Sequence, residues 1–417
     1  MSVKTADDVT SVRRLELDWL RVLAFGLLIF YHTGMLYVER WGFHYKSQYL
    51  SSTLEYLMLL SSPWRMLLIW FISGYALGAA LQHVKSWRQH VLFGIRRTIL
   101  LLLPLLTGLW LIVPPQLYAE MSQQDGLTLG YWQFYLAFLV LQHPLFANYQ
   151  SGVWPHVDVN HLWFLRSLWQ FTLLALLLLP LLYCRLLQHA IGWFLQRALL
   201  WQLLAWSLLM LCIRYQASGD TIRDLQGLAF FLLGIIVVRQ QDFWQQLARS
   251  RHWLGWLCLV NYMALCGLYF LAYQPEWLPL KLQVTILPAL RLSFSVQGVA
   301  MLCWILAVAQ RYLNRPQQHL ALANRCVFPV YLLHQSLIII AALWLTPYAL
   351  GGLLEALLVL LFTLGGSVLL LIIFWHLPWL TPLLGLKTSY AFSPRWRQAG
   401  IVAGGILVTP LAITLLV

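Results

Sequence analysis

The chain has 417 residues, of which 61% are hydrophobic and only 10% are charged, and its mean hydropathy is +0.71. Water-soluble globular domains do not reach these values, so the composition predicts an all-α, polytopic integral membrane protein. The formal net charge of +13 would suggest a nucleic-acid partner for a soluble protein. In a membrane protein an excess of Lys and Arg on cytoplasmic loops explains this charge, so we expect a lipid bilayer and no nucleic acid as partner.

The first apolar run, residues 18–37, contains polar groups that a bilayer disfavours. On an α-helix, Arg21 and His32 would lie within roughly 20° of one face and about 16 Å apart along the axis. Asp18 would lie about one turn before Arg21 on the same face. Because charged residues at membrane depth usually face a bundle interior or a wet cavity, this helix predicts a polar track through much of the membrane.

Further apolar runs predict ten to twelve spans, with eleven as the best count. The second span covers about 64–82, and a third ends near Val113, where Pro114 and Pro115 are expected to stop the helix. The other spans are expected at about 161–184, 199–213, 226–238, 252–273, 289–309, 326–346, 353–375 and 399–417.

The basic residues predict how the chain is oriented. With Arg21 and Arg166 set aside as intramembrane residues, 18 Lys and Arg lie on the side of the N-terminus and seven on the opposite side. This bias predicts a cytoplasmic N-terminus and, with an odd number of spans, an external C-terminus. We expect a cytoplasmic tail at 1–17, one membrane domain at 18–385, and a short cytoplasmic loop plus an extra C-terminal span at 386–417.

The segment 114–160 is the longest weakly apolar region and is rich in Pro, Gly, Gln and His. Its one apolar piece, residues 131–142, is too short to span a bilayer comfortably. We therefore expect an outer loop with an interfacial or re-entrant helix, in a position suited to a polar acceptor substrate.

Four short motifs together resemble one known family. They are Leu17-Asp18-Trp19-Leu20-Arg21 followed by His32, Phe71-Ile72-Ser73-Gly74-Tyr75, His161-Leu162-Trp163-Phe164-Leu165, and Tyr331-Leu332-Leu333-His334. In this order they resemble the motifs of the membrane-bound acyltransferase-3 family of bacteria, over roughly residues 14–385. Arg65-Met66 and His376-Leu377-Pro378 further resemble the branch that contains glucan biosynthesis protein C, a succinyltransferase of periplasmic glucans.

Two features differ from the pattern of that family. The family commonly has two Arg spaced by two residues at the start of its third helix, whereas here Arg96 and Arg97 are followed by Ile99 and Leu100. The extra span after residue 398 also lies outside the pattern.

The resemblance implies an O-acyltransferase of the bacterial inner membrane. It would move an acyl group, succinyl or acetyl, from cytoplasmic acyl-CoA as co-substrate to a hydroxyl of an envelope glycan or glucan. A sugar hydroxyl needs a base to remove its proton, and we expect His32 to be that base. Arg21, with a permanent charge and forked donors, is expected to stabilise the oxyanion or the CoA phosphates, and Asp18 completes the catalytic candidates.

The remaining candidates are expected to bind the donor or the acceptor. Arg96 and Arg97 are the candidates for the phosphates of acyl-CoA. No metal site is expected, because the His residues lack ligand spacing with Cys or carboxylates. The candidates for substrate binding are Arg65, Ser73, His161, Trp163, Arg166 and His334.

Each candidate also has a structural interpretation. His32 and His334 could serve helix packing, Arg21 could reach the cytoplasmic headgroups, and Arg96 and Arg97 could anchor a cytoplasmic turn. Ser73 lies beside Gly74. Small residues in membrane helices usually allow close helix packing.

The roles of His161, Arg166 and Glu355 depend on their positions relative to helix ends. His161 and Arg166 are about 140° apart on a helix, so both can face one site only if the helix starts after His161. Glu355 lies near an outer helix end and is expected to be solvated.

Two other classes of function use similar residues. A transporter of anionic or acylated saccharides would also place Arg and His along a pathway, and it would show flux without consumption of acyl-CoA. A catalytically silent scaffold would keep the same residues to hold helices together. The lack of an internal sequence repeat disfavours the transporter, and the matched Arg21 and His32 disfavour the scaffold.

Overall fold

The computed structural model describes residues 14–140, 143–147, 159–273, 278–377, 380–386, 393–395, 398 and 402. Over these ranges the chain is almost entirely helical and has no β-strand, which confirms the all-α prediction. The α-helices, in chain order, are α1 (Leu15–Met35), α2 (Thr53–Leu59), α3 (Arg65–Leu81), α4 (Trp87–Thr107), α5 (Pro114–Gln124), α6 (Tyr131–Phe138), α7 (Trp163–Leu182), α8 (Arg185–Leu195), α9 (Leu199–Gln216), α10 (Gly219–Ile236), α11 (Gln241–Tyr273), α12 (Leu280–Tyr312), α13 (Leu320–Leu345) and α14 (Gly352–His376).

Eight helical segments in the described part of the chain are long and apolar enough to cross a membrane. They correspond to the third to tenth predicted spans, so the polytopic membrane class is confirmed. The helix α3 is apolar but shorter, and α1, with its charged residues, is not among the eight. The predicted last span, 399–417, lies outside the described residues except for Val402, and so do residues 1–13 of the predicted tail.

The helical segment of the third span ends at Ile112, close to the predicted position, but Pro114 and Pro115 begin a new helix and not a loop. After α4 the chain forms a π-helix, Gly108–Ile112, and α5 then starts with the two prolines in its first turn. Proline is well tolerated there, because the first amide groups of a helix have no partner within the helix. Part of the predicted outer loop 114–160 is therefore helical, and its apolar piece forms the short helix α6.

Several helices extend beyond the predicted apolar runs. The helix α11 starts 11 residues before the predicted position 252, and α12 starts nine residues before 289. Hydropathy marks the apolar part of a helix, whereas polar turns of the same helix continue past it.

The chain divides into two compact units. The first contains Met1–Ala24, Tyr56–His90 and Phe171–Asn324, and the second contains Phe25–Glu55, Val91–Gln170 and Arg325–Val417. The sequence alone predicted one membrane domain over 18–385.

In the first unit, glycines allow α3 and α10 to cross with their backbones in contact. A Cβ atom on Gly74 would overlap the carbonyl oxygen of Phe231, and one on Gly234 would overlap the carbonyl oxygen of Phe71. Only a residue without a side chain fits at this crossing. Ser73, beside Gly74, is half-buried.

The helices α11 and α12 pack in the same unit through apolar and polar contacts. The side chain of Asn261 donates to Gln297 at 2.8 Å and accepts from the hydroxyl of Ser293 at 3.2 Å. Gly255 gives room to the ring of Trp304. These interhelical hydrogen bonds give partners to the Asn261 amide and to the side-chain oxygen of Gln297, which would otherwise lose hydrogen bonds on burial at a cost in free energy.

The core of the second unit joins the C-terminal half of α1 to α5, α13 and α14. Buried residues from these helices and from the loop after α1 form one cluster: Ile29, Leu36, Tyr37, Tyr45, Ala119, Ile338, Ile339, Ala341, Ala342 and Val359. This apolar packing fixes the helices that carry the polar groups described next.

The expectation that Glu355 is solvated is wrong. Its side chain is fully buried near the start of α14 and accepts a hydrogen bond from the Tyr37 hydroxyl at 3.2 Å. The loop after α1 covers this helix end, where the Tyr49 hydroxyl accepts from the amide of Gly351 at 3.0 Å.

Candidate active site

Three of the predicted site residues, His32 on α1, His161 before α7 and His334 on α13, come together in the second unit. We call these three residues the histidine cluster. His32 is half-buried, while His161 and His334 are buried, with 5% and 1% of their surfaces exposed. The ring centroids of His32 and His334 are 5.0 Å apart and those of His161 and His334 are 5.5 Å apart.

His32 and His334 share a hydrogen bond between their rings. His32 Nδ1 lies 2.9 Å from His334 Nε2, and the rings are nearly parallel, with an angle of 9° between them. His334 Nδ1 in turn lies 2.6 Å from the carbonyl oxygen of Tyr331, one turn earlier on the same helix. The three groups therefore form a hydrogen-bond chain that ends on a backbone carbonyl.

The carbonyl end of this chain determines the tautomers of the neutral rings. A carbonyl oxygen can only accept, so His334 Nδ1 carries the proton and donates to Tyr331. His334 Nε2 then has the lone pair and accepts from the N–H at His32 Nδ1. The lone pair of neutral His32 consequently lies on Nε2, which makes Nε2 the basic atom of the cluster.

His161 uses both ring nitrogens in hydrogen bonds within the protein. Its Nε2 donates to the carbonyl of Leu332 at 2.9 Å, and its Nδ1 accepts from the Gln116 side chain at 3.1 Å. Both assignments agree with one neutral tautomer. His161 is thus held rigidly beside His334 and is less suited to proton transfer than His32.

Gln116, on α5, connects His161 to α13 and was not predicted from the sequence. Its side chain is fully buried and donates also to the hydroxyl of Ser336 at 2.6 Å. Its carbonyl oxygen accepts from Gln335 at 3.1 Å. The Ser336 hydroxyl in turn donates to the carbonyl of Ile112 in the π-helix. A buried network in which the partners are satisfied fixes one arrangement of its members.

The backbone carbonyls of the Tyr331-Leu332-Leu333-His334 motif accept hydrogen bonds from the histidine cluster. The carbonyl of Tyr331 accepts from His334, and the carbonyl of Leu332 accepts from His161. The Tyr331 hydroxyl donates to the carbonyl of His161 at 2.6 Å. One turn of α13 therefore orients two histidines of the cluster.

Aromatic rings surround the side of the cluster that faces α1 and α7. The ring of Phe25 makes edge-to-face contacts with Phe164 and Tyr331, at centroid distances of 6.0 Å and 5.5 Å. Phe164 contacts Tyr331 in the same way at 5.8 Å. Such contacts add to apolar burial and hold the rings in place.

Trp163 and Arg166, predicted beside His161, are half-buried on the first turns of α7. The α-helix starts at Trp163, and His161 lies in the preceding 3₁₀ turn, Asn160–Leu162. This is the condition under which His161 and Arg166 can face a common site. Arg96 is exposed and Arg97 is half-buried on α4.

The other predicted site residues belong to the first unit. Asp18 and Arg21 are half-buried on the N-terminal half of α1, which continues without a break to His32. Arg65 is buried at the start of α3, and Ser73 lies farther along that helix. The histidine cluster itself lies wholly in the second unit.

Beyond the cluster, the loop after α1 is attached to α5. His44 Nδ1 lies 2.7 Å from a carboxylate oxygen of Glu120. The Gln123 side chain accepts from the amide of Lys46 at 2.8 Å and donates to its carbonyl at 2.7 Å. Sequence inspection gave no signal for these pairs, because the two segments are more than 70 residues apart.

Lys46 also caps the C-terminal end of α1. Its ammonium group donates to the carbonyls of Met35 at 2.8 Å and Val38 at 2.6 Å. Burial lowers the pKa of Lys46, and the nearby carboxyl of Glu55 partly opposes this shift. A cation on the last carbonyls of a helix stabilises its C-terminus.

Within the described ranges, no group of three or more His, Cys, Asp and Glu side chains is arranged to hold a metal ion. The histidine cluster is joined through hydrogen bonds to carbonyl and amide groups instead. Its geometry therefore offers acid–base chemistry at His32.

Comparison with known proteins supplies the class of reaction. The acyltransferase domain model of the acyltransferase 3 family matches residues 14–375, a range that includes the whole histidine cluster. No curated protein and no solved structure matches the chain. The family match covers most of the chain and agrees with the apolar helices, so the chain belongs to the acyltransferase 3 family and is a multi-pass membrane acyltransferase.

Proposed function

We propose that the chain is an O-acyltransferase of the bacterial inner membrane. In this proposal it moves a succinyl or acetyl group from cytoplasmic acyl-CoA to a hydroxyl of an envelope glycan or glucan. The observation that carries the proposal is the hydrogen-bond chain from His32 through His334 to the Tyr331 carbonyl. It supports a basic His32 Nε2, and acylation of a hydroxyl requires such a base.

The proposed reaction needs no redox partner and no external proton. His32 Nε2 takes the proton of the acceptor hydroxyl while the hydroxyl oxygen bonds to the thioester carbonyl carbon. The carbon–sulfur bond then breaks, and the imidazolium gives its proton to the departing thiolate. The products are the O-acyl ester and CoA with a free thiol.

His334 is a positioning residue in this mechanism. Its Nε2 accepts from His32 Nδ1 and so keeps the lone pair of His32 on Nε2. When His32 becomes an imidazolium, the same hydrogen bond becomes charge-assisted and stabilises the cation. A fixed hydrogen-bond acceptor at the second ring nitrogen of a catalytic histidine keeps that histidine in the correct tautomer, as in the triad of serine hydrolases.

Arg21 is the proposed cationic group, with Asp18 one turn away on the same helix. Its permanent charge and forked donors suit the thioester oxyanion or a CoA phosphate. Arg21 and His32 are both carried by the unbroken helix α1. Arg96 and Arg97, on α4, remain the candidates for the phosphates of acyl-CoA.

The acceptor site is proposed to include the remaining candidates of the sequence analysis. His161 would form a rigid wall of that site, because its nitrogens are already bonded within the protein. Trp163 and Arg166, in the same unit as His161, are further candidates for contacts with substrate. Arg65 and Ser73 are separate substrate-binding candidates in the first unit. The resemblance to the glucan biosynthesis protein C branch favours succinyl as acyl group and a periplasmic glucan as acceptor.

Mass spectrometry of envelope glycans tests the proposed function. Three strains are compared: wild type, a deletion, and His32→Gln with the protein inserted at normal abundance. Glutamine can still donate to His334 but is not a base at neutral pH. We expect one defined acyl mass to disappear from one glycan in both altered strains. Unchanged acylation in the deletion strain would refute the proposal, and saccharide flux dependent on the protein would then favour the transporter.

A further inference from the structure

The His44–Glu120 pair is a second acid–base pair, and the mechanism above does not use it. The imidazole and the carboxylate are joined at 2.7 Å, and their side chains are 27% and 24% exposed. The hydrogen bond occupies one ring nitrogen and one carboxylate oxygen. His44 Nε2 and the second oxygen of Glu120 lie outside this bond, on side chains that solvent reaches.

This pair lies next to the histidine cluster in the second unit. The ring of Phe43 is 6.1 Å from that of His32 and 5.6 Å from that of His44, between centroids. The ring of Phe43 thus contacts both imidazoles, and a molecule with one hydroxyl at His32 has to extend past one aromatic ring to reach the pair.

Other contacts already attach the loop after α1 to α5, which is the structural role that the pair could have. Gln123 ties the same loop to the same helix through two hydrogen bonds with the backbone of Lys46. Lys46 fixes the loop to the end of α1, and Arg40 pairs with the buried Glu55 at 2.8 Å. Attaching the loop to α5 does not require two further titratable and partly exposed groups.

We propose that His44 and Glu120 bind a second hydroxyl of the acceptor, separated from the acylated one by about the width of the Phe43 ring. This inference rests on the proposed function. A carboxylate oxygen accepts from a hydroxyl, and His44 Nε2 accepts when neutral and donates when protonated. A hydroxyl both donates and accepts, so the pair matches a group that polyhydroxylated acceptors such as saccharides carry at several positions. An acceptor held at both hydroxyls would present one of them to His32.

Steady-state kinetics with purified protein in lipid vesicles test this role. The donor is acetyl-CoA or succinyl-CoA, and the acceptor is the unacylated glycan fraction isolated from the deletion strain. His44→Leu and Glu120→Gln each remove one side of the pair. Gln123→Leu is the matched control, because it removes two hydrogen bonds between the same loop and the same helix.

We expect both variants of the pair to raise KM for the acceptor by roughly tenfold or more, since each loses a hydrogen bond to a charged group. KM for the donor should not change, and the double variant should cost less than the sum of the two single effects. Gln123→Leu should leave both constants near the wild-type values. A thermal unfolding curve for each variant separates binding from folding.

Four results would overturn the inference. The acceptor KM could stay at the wild-type value in both variants, or it could rise equally in Gln123→Leu, which would identify the pair as a loop attachment. If the wild-type protein transfers no acyl group to the glycan fraction, the proposed function fails together with the inference. Activity that is lost in His32→Gln but unchanged in His44→Leu would reject the inference alone.

Discussion

His32 Nδ1 and His334 Nε2 lie 2.9 Å apart, with their rings within 9° of parallel. The base of this site is therefore oriented by a second imidazole, where many enzymes use a carboxylate. A carboxylate partner would stabilise the imidazolium before the reaction begins, whereas a neutral imidazole does so less strongly. The neutral tautomer that this hydrogen bond selects has its lone pair on His32 Nε2.

Replacing His334 tests its positioning role. His334→Leu removes the acceptor for His32 Nδ1, so we expect kcat to fall roughly a hundredfold or more, as when a base loses its tautomer control. His334→Gln should retain more activity, because the amide oxygen can accept the same hydrogen bond. The measurement is kcat with both substrates saturating. Equal activity of His334→Leu and wild type would contradict the role.

Tyr331→Phe separates the two functions of Tyr331. The variant loses the buried hydrogen bond from the hydroxyl to the His161 carbonyl, which costs about 1 kcal/mol of unfolding free energy. It keeps the backbone carbonyl that accepts from His334. We expect lower thermal stability with kcat within a few fold of wild type. A loss of kcat as large as in His334→Leu would show that the hydroxyl itself takes part.

Gln116→Leu should disturb the buried polar network. It would leave His161 Nδ1 and the Gln335 amide without their Gln116 partner, at a cost of about 1–3 kcal/mol for each unsatisfied group. We expect a lower unfolding temperature and a lower kcat, because His161 then loses its fixed orientation beside His334. Gln245→Leu, at an exposed position on α11, is the control and should change neither quantity. Equal stability of the two variants would contradict the account of the network.

Gly74→Ala tests the close crossing of α3 and α10. The added methyl group would overlap the backbone carbonyl of Phe231, so the helices must shift, at a cost of about 1–3 kcal/mol or more. Gly267→Ala, on α11, meets no atom within 4 Å and should be neutral or slightly stabilising. Thermal unfolding of both variants decides the matter. If Gly74→Ala were as stable as Gly267→Ala, the backbone contact would not exist as described.

The class of fold was predictable because long apolar runs have few alternatives to membrane helices. The positions at which individual helices begin and end were less predictable. Pro114 and Pro115 looked like a stop signal, yet proline fits the first turn of a helix equally well, and the preceding π-helix gives no strong signal in the sequence.

The composition of the site was only partly predictable. His32, His161 and His334 were each predicted through the motifs, but His32 and His334 are 302 residues apart, and periodicity carries no information over such a distance. Gln116 was missed because it follows the two prolines in a segment interpreted as a loop. Glu355 was misjudged because burial of a helix end depends on a loop from elsewhere in the chain.

The most direct test of the central claim is the rate of acyl transfer by wild type and His32→Gln, each purified and reconstituted in vesicles, with donor and acceptor saturating. If His32 Nε2 is the general base, His32→Gln should lose about 10²- to 10⁴-fold in kcat while the protein keeps its thermal stability. A His32→Gln protein that transfers acyl groups at the wild-type rate would contradict the account.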